Sequence, residues 1–508
     1  MKRFLLTFMT VCLLVLVVSG VSWSWQGRMA GIEDPYGLVA DESDFLIHPA
    51  KIAKGSGVKI YGDYRFTYTD VKNWNYTLNE LTPAGALIYS YQYDTSGKEY
   101  KNNALLGVAF PLGTGRMGVF FAYDRTRGNY DGHEAIPGLS DNYLQHELSE
   151  DLDNFALKLI YGMPVGRFNL GGEIQLAYRQ EKQTTWINAA YLGEGITNYP
   201  WGANRVWLNV YPYMIPYDSK YWETLFKGSL DGKVGPLDLA FTLRGGFVFS
   251  GGNKYSYDFQ IPVGNSVSGV NMDGAVSGWK IGGDFWLRYP ITQTLTLPFL
   301  VRVDYQSKTR DGSGNGNGGL SAYSYNHEQK ERNLDIVVGG GIDKTFSQKT
   351  RVATGIYYSY HKGTEDIRQW GIETAPFVND HSYPDANEHR VMLKLIGEHE
   401  LSPTVTLRLG FEPFFGRVSE DFKYSHGTSF NDDISLDGNH WGVGTSLGAS
   451  IKLKPVTLEP FLNVGYQSIK LDGDGTEISG GAIAGRWEMD KSRAEWYAVG
   501  GLSVLFGQ

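Results

Sequence analysis

Sixteen stretches of this chain alternate apolar and polar residues with a period of two, and the connections between them alternate short with long. A period of two is the signature of a strand. The stretches lie at 58–69, 102–111, 116–128, 152–163, 167–182, 221–231, 237–250, 277–290, 295–307, 332–344, 350–361, 387–400, 404–416, 440–453, 456–470 and 491–506. Short connections centre on Leu112–Gly115, Pro164–Gly166, Gly232–Pro236, Thr292–Thr294, Phe346–Gln348, Ser402–Pro403 and Lys454–Pro455. Long ones cover 70–101, 129–151, 183–220, 251–276, 308–331, 362–386, 417–439 and 471–490. Seven short and eight long connections are what sixteen antiparallel strands require when the chain enters and leaves on one side. A soluble sandwich has no reason to alternate loop length so regularly; a transmembrane barrel with short periplasmic turns and long outer loops does. The expected fold is therefore all-β: a closed antiparallel transmembrane β-barrel of about 16 strands, with long extracellular loops.

The hairpin from Trp279 to Tyr305 shows how the two faces divide. Trp279, Ile281, Gly283, Phe285, Leu287 and Tyr289 share one face with Leu295, Leu297, Phe299, Val301, Val303 and Tyr305. Aromatic residues bracket this face, as on a strand that meets lipid. Ten steps at about 3.3 Å, tilted by about 40°, cross roughly 25 Å, the height of an outer-membrane apolar band. The opposite face carries Lys280, Asp284, Arg288, Arg302 and Asp304.

Composition supports the same class. The chain has 33 Tyr, 25 Phe, 13 Trp and 64 Gly, strand formers together with turn glycines. After the first residues no run of 18 apolar positions offers a spanning helix. Met1-Lys2-Arg3, the apolar run Phe4–Val18 and the small residues Ser19, Gly20, Ser22 and Ser24 read as a secretory leader, 1–22, with cleavage after Ser22 or Ser24. The one cysteine, Cys12, lies inside that leader, so the exported chain relies on no disulfide, as suits a bacterial envelope protein. The net charge of −9, or −11 without Lys2 and Arg3, argues against a nucleic-acid partner. The expected location is the bacterial outer membrane.

Residues 23–56 precede the first clean strand and 57–508 form the barrel. The run Ala40-Asp41-Glu42 leading to His48-Pro49-Ala50-Lys51 is similar to the N-terminal segment of the long-chain fatty-acid transporter family. That resemblance implies a segment packed in the lumen as a hatch; the alternative is a periplasmic arm. Gly501, Val504 and Phe506 in the last strand resemble the C-terminal signal by which barrel-assembly machinery selects its clients. By pattern, the whole exported chain resembles Gram-negative outer-membrane barrels of the porin and porin-like transporter kind.

The inward face carries both signs of charge. Lys59, Asp63, Arg65, Glu173, Arg179, Arg244, Lys280, Asp284, Arg288, Arg302, Asp304, Arg408, Glu412 and Glu495 are the expected pore-lining residues. The 183–220 connection is the longest and carries Trp186, Tyr191, Trp201, Trp207 and Tyr211, an aromatic set suited to a constriction or a lid. Gly314, Gly316 and Gly319 match a dinucleotide-binding glycine pattern, but no helix follows and a loop tip is expected. Asp472–Glu477 lacks the distal glutamate of a calcium loop, and the ten His show no paired metal-ligand spacing. No catalytic group, metal or cofactor is expected. The partners expected are outer-membrane lipid, lipopolysaccharide, small solutes and the assembly machinery.

The leading functional expectation is passive diffusion of small solutes through a mixed-charge lumen. Two rivals are a fatty-acid-transporter-like barrel for hydrophobic compounds with an N-terminal plug, and a non-transport barrel serving as adhesin, scaffold or enzyme. The plugged barrel calls for a dry apolar pocket, and the lumen charges weigh against it at this level.

Overall fold

The structure, a computed structural model, describes residue 38 and residues 42–135, 143–190, 213–250, 255–263, 266–318, 321–372, 379–426, 430–479 and 482–507. The expected leader, 1–22, lies outside the described residues. Two 3₁₀ turns, Glu42–Leu46 and Pro49–Lys54, come first. The strands follow: β1 (Lys59–Leu81), β2 (Leu87–Leu112), β3 (Gly115–Ala135), β4 (Tyr143–Val165), β5 (Phe168–Ala190), β6 (Tyr213–Val234), β7 (Leu237–Phe249), β8 (Tyr255–Val263) and β9 (Ser266–Thr292). The series continues with β10 (Leu295–Gly318), β11 (Ser321–Ser347), β12 (Thr350–Ile372), β13 (Asn379–Ser402), β14 (Val405–His426), β15 (Phe430–Leu453), β16 (Val456–Ser479) and β17 (Ala482–Phe506).

Apart from β7 and β8, each strand pairs antiparallel with its neighbours in sequence, and β1 closes on β17 from Ile60–Phe506 to Leu81–Arg486. β7 and β8 share one wall position. β7 pairs with β6 and β9 as far as Trp222–Phe249 and Phe249–Ser277; β8 resumes between the same strands through Tyr217–Tyr257 and Tyr255–Gly274. Seventeen segments therefore make sixteen staves of a closed barrel. Each of the sixteen expected stretches falls within one of these strands, to within one residue at its ends.

The outward face is apolar in the lower part of the wall, nearer the short turns. Trp279, Ile281, Phe285 and Tyr289 of β9 are exposed, as are Phe299 and Val303 of β10, while Trp286 and Asp284 between them are buried inside. Arg302 lies opposite Asp284 and Val301 opposite Phe285, so the register puts like with like on each side. At the edge of this belt the Trp279 and Tyr305 rings meet at a tilt of 38°, with centroids 5.0 Å apart. An exposed apolar belt around a closed barrel is the architecture of a bacterial outer-membrane protein, because closure pairs the strand backbone where no water can.

The long connections differ from expectation. Most of 70–101 is strand, leaving 82–86 between β1 and β2, and most of 308–331 is strand, leaving 319–320 between β10 and β11. Beyond the lipid belt the outer face of a strand meets water instead of lipid, so the alternation set by lipid fades while the hydrogen-bond ladder continues from neighbours already in register. The 183–220 connection shrinks likewise: 183–190 belongs to β5 and 213–220 to β6. Trp186 is in β5, paired with Met214; Tyr191, Trp201, Trp207 and Tyr211 lie outside the described residues. Gly314 and Gly316 are not at a loop tip but in β10, opposite Tyr325 and Tyr323, and Asp472–Glu477 is part of β16; Gly319 lies outside the described residues.

Ile356 is 62% exposed on the outer face of β12. Ile356→Arg is expected to destabilise the barrel by about 2–4 kcal/mol in urea unfolding from lipid vesicles, since a charge near mid-bilayer depth cannot be hydrated.

Candidate functional site: a plugged, ion-paired lumen

The N-terminal segment lies inside the barrel and is fixed to opposite sides of the wall. Pro49 fits the start of the second 3₁₀ turn because its fixed φ suits a first helical position. Phe45 and Ile52 enter an apolar cluster with Tyr61 of β1, Phe120 of β3 and Ile160 of β4. The Phe45 ring meets Tyr61 edge to face and Phe120 at a tilt, both at 5.5 Å between centroids. Ile47 packs on a second cluster formed by Ala240, Trp286, Leu300, Val337, Tyr357 and Met392. Leu38 is fully buried with Ala353 of β12 and Ile396 of β13.

Polar contacts complete the attachment. Ala50 N–H donates to Ser229 Oγ at 2.6 Å, and Lys227 Nζ donates to the Leu46 carbonyl at 2.6 Å. Arg288 donates to the Leu38 carbonyl at 2.9 Å, and Arg116 to that of Gly57 at 2.6 Å. His48 Nδ1 lies 2.7 Å from Thr242 Oγ1, with the imidazole edge-on to Trp286 at 4.4 Å. Burial first, then the nearby Lys51, Arg302, Lys227 and Arg244, push the His48 pKa down to about 2, so the docked ring is neutral.

Small residues on the inner face make room for the plug. A Cβ on Gly171 of β5 would sit 2.2 Å from Ala50 N, and one on Gly162 of β4 would sit 2.7 Å from Ile52 Cγ2. These positions share the inward register with charged residues nearby, Gly171 with Glu173 and Gly162 with Lys158. Small residues where an empty lumen has no need of them are a signal that sequence reasoning passed over.

The inward charges are joined in networks that reach past adjacent strands. Asp284 takes hydrogen bonds from Arg244 and from Arg302, the latter at 2.5 Å. Arg244 also holds Asp304 through two bonds of 2.5 Å. Arg288 and Arg351 share Asp343, and Arg408 bridges Glu398 and Glu459, both at 3.0 Å. Lys227 pairs with Glu173 at 3.1 Å, Arg179 with Glu223 at 2.7 Å, Lys280 with Glu223, and Lys394 with Glu412. Arg65 pairs with Asp63, Glu495 with Arg493 and Gln467, and Lys59 borders a cavity at the turn-side mouth. Arg310 of β10 reaches Glu181 of β5 at 3.0 Å, across three intervening wall positions.

Of the fourteen expected lumen residues, six pair with one another and seven with other charged side chains. The expectation that mixed charge weighs against a plugged barrel fails for this reason: a paired charge in a cross-lumen network neither keeps the interior wet nor excludes an apolar core beside it. The plug residues Leu38, Phe45, His48 and Ile52 and their receptors Ser229 and Thr242 were absent from the sequence-based set. An irregular segment has no periodicity to show which side it packs on.

A further apolar cluster lies on the inner face of β14–β17, far along the strands from the short turns. It comprises Val418, Ile434, Leu436, Leu471 and Met489, flanked by Ile469 and Trp487. Just below it Glu388 accepts from His440 and Arg390, at 2.7 Å in each case, and the Arg390 guanidinium lies 4.5 Å over the Phe414 ring.

No protein-family model and no curated protein matches this chain. Among solved structures it is similar to a FadL homologue of Pseudomonas aeruginosa, with TM-score 0.40 and 10% identity over 96% of this chain and 98% of that one. It is also similar to the P. putida toluene transporter TodX, with TM-score 0.36 and 9% identity over 91% and 94%. The monoaromatic hydrocarbon channel CymD gives TM-score 0.35 and 11% identity over 96% and 98%.

Asp284 is fully buried between two arginines. Asp284→Asn leaves their charges short of a counter-ion, and is expected to cost about 3–5 kcal/mol in denaturant unfolding. The docked His48 resists protonation, whereas an undocked one titrates near its ordinary 6.5. Docking is thus fully favoured above pH 6.5 and weakens as pH falls below it. Channel opening in planar bilayers should rise between pH 7.5 and 5, and His48→Asn should flatten that dependence.

Proposed function

We propose that this protein is a plugged outer-membrane transport barrel that admits small hydrophobic solutes, and not an open general porin. The observation that carries this reading is the N-terminal segment held to opposite sides of the lumen by three apolar anchors. A segment anchored in this way obstructs the axial path that passive diffusion of ions and sugars requires. The class of solute follows from the inner surface beyond the plug. Val418, Ile434, Leu436, Leu471 and Met489 form a buried apolar cluster in the outer half of the lumen, and a hydrocarbon that enters among them loses its ordered water without leaving a polar group unpaired.

On this reading a solute partitions from outside onto the β14–β17 wall and moves towards the plug. The plug's contacts are numerous and individually modest; a neutral hydrogen bond contributes about 1 kcal/mol net. Partial release of the segment is therefore within reach of thermal motion, whereas loss of the wall ladder is not. The charged residues around it, Arg244, Asp284, Arg302 and Asp304 among them, act as a rigid seat and keep the segment's path fixed.

Reconstitution tests this. The protein as it exists should show small or no steady conductance in planar bilayers, and should carry toluene into vesicles that hold an aromatic-binding reporter. Gly171→Leu, which forces a side chain into the Ala50 backbone, or deletion of 42–54, should produce stepwise pores at least tenfold more conductive. Large, stable, ion-selective steps from the unaltered protein would return the open-porin reading.

A further inference from the structure

Three successive short turns, on the β11–β16 side of the barrel, share a pattern. Each is entered through a large apolar residue that ends the lipid-facing stripe of its strand: Phe346 on β11, Leu401 on β13 and Leu453 on β15. These three are 63, 55 and 51% exposed, and they share their faces with the exposed Ile342, Leu395 and Leu447. The apolar surface therefore continues to the rim of the barrel on this side.

Basic residues stand beside it. Lys344 and Lys349 flank Phe346, Lys452 and Lys454 flank Leu453, and all four are exposed. Lys344 Nζ lies 5.0 Å over the Phe346 ring, and none of the four is ion-paired among the described residues. The carboxylates at the same strand ends face inward and are engaged there. Asp343 is held by Arg288 and Arg351, while Glu398 and Glu459 are held by Arg408. Only the half-buried Glu400 is left to offset four exposed cations. Successive hairpin turns lie two strand spacings apart, about 10 Å, so the sector spans about 20 Å of rim.

The rest of the rim lacks this combination. The Leu112–Gly115 and Thr292–Leu295 turns carry no charged residue, Lys233 is engaged with Asp238 at 3.6 Å, and Arg167 stands alone between β4 and β5. Exposed apolar side chains with ammonium groups just beyond them match a lipid interface, because a lysine stem covers apolar surface while its head reaches the polar layer. The group that meets the head at that depth is a lipid phosphate. A zwitterionic headgroup brings its own cation and gains little from a basic sector, whereas a headgroup with net negative charge gains the full attraction.

We propose that the β11–β16 turn sector binds phospholipids of net negative headgroup in the periplasmic leaflet of the outer membrane, with their acyl chains against Phe346, Leu401 and Leu453. Short turns face the periplasm in barrels of this class, which sets the leaflet. The inference goes beyond the transport reading and depends only on the closed barrel and its orientation.

Spin-labelled lipids test it, with the full chain reconstituted in phosphatidylcholine bilayers. Labelled phosphatidylglycerol should associate with the barrel surface about threefold or more in excess of labelled phosphatidylcholine, and salt at about 0.5 M should shrink that excess. Lys349 and Lys454 lie in turns and hold no other side chain, so the double variant Lys349→Glu, Lys454→Glu should keep heat-modifiable gel migration and lose most of the preference. Arg167→Glu, on a turn well around the barrel, should keep it. Equal association of the two lipids with the unaltered protein overturns the proposal and leaves the sector to an acidic protein. A preference that survives the double variant, or one lost in Arg167→Glu alone, also overturns it. Neither result bears on toluene uptake, which is read separately in vesicles.

Discussion

A strand in hydrocarbon has no water to satisfy its N–H and C=O groups, so every backbone group at that depth must pair with a neighbouring strand. This constraint governs the structure. It forces β1 onto β17, fixes an even number of staves, and makes β8 resume the wall position that β7 leaves. It also sets the two-sided code of the wall. Once closure fixes register, a residue such as Ile281 has no choice but lipid, and Asp284, three positions on, has no choice but the interior.

Closure at sixteen staves creates the second problem. The circumference is too great for wall side chains alone to fill the lumen. Two devices fill it here. Arginines and carboxylates reach past their immediate neighbours, as Arg244 does to Asp304 and Arg310 to Glu181. The N-terminal segment supplies the apolar bulk that the wall lacks, through Leu38, Phe45 and Ile52. Each supports the other: Arg288 holds Asp343 with one nitrogen and the Leu38 carbonyl with another, and Lys227 divides itself between Glu173 and Leu46. Removing a charge from the wall is therefore also a disturbance to the plug.

The reading of the lumen turns on this coupling. A row of lysines, arginines and carboxylates at inward positions is equally the lining of an aqueous pore and the seat of a plug. Sequence order does not distinguish the two, because the partners that neutralise these charges lie far away along the chain. Arg310 and Glu181 are separated by 129 positions. The outer cluster of Val418, Ile434, Leu436, Leu471 and Met489 was hidden for a related reason: it is assembled one or two residues at a time from four strands, in stretches expected to be loops.

The sequence by itself determined the wall. Alternation in the two arms of Trp279–Tyr305 and their fourteen counterparts, and the alternation of turn lengths, specify strands, faces and closure, because lipid on one side and protein on the other act on every second residue. Tertiary structure alone decided how far the strands run, since outside the membrane the ladder continues without any apolar pattern to mark it. It alone decided what fills the barrel, since a short irregular segment and a set of scattered charges acquire partners only when the closed wall brings them within hydrogen-bonding distance.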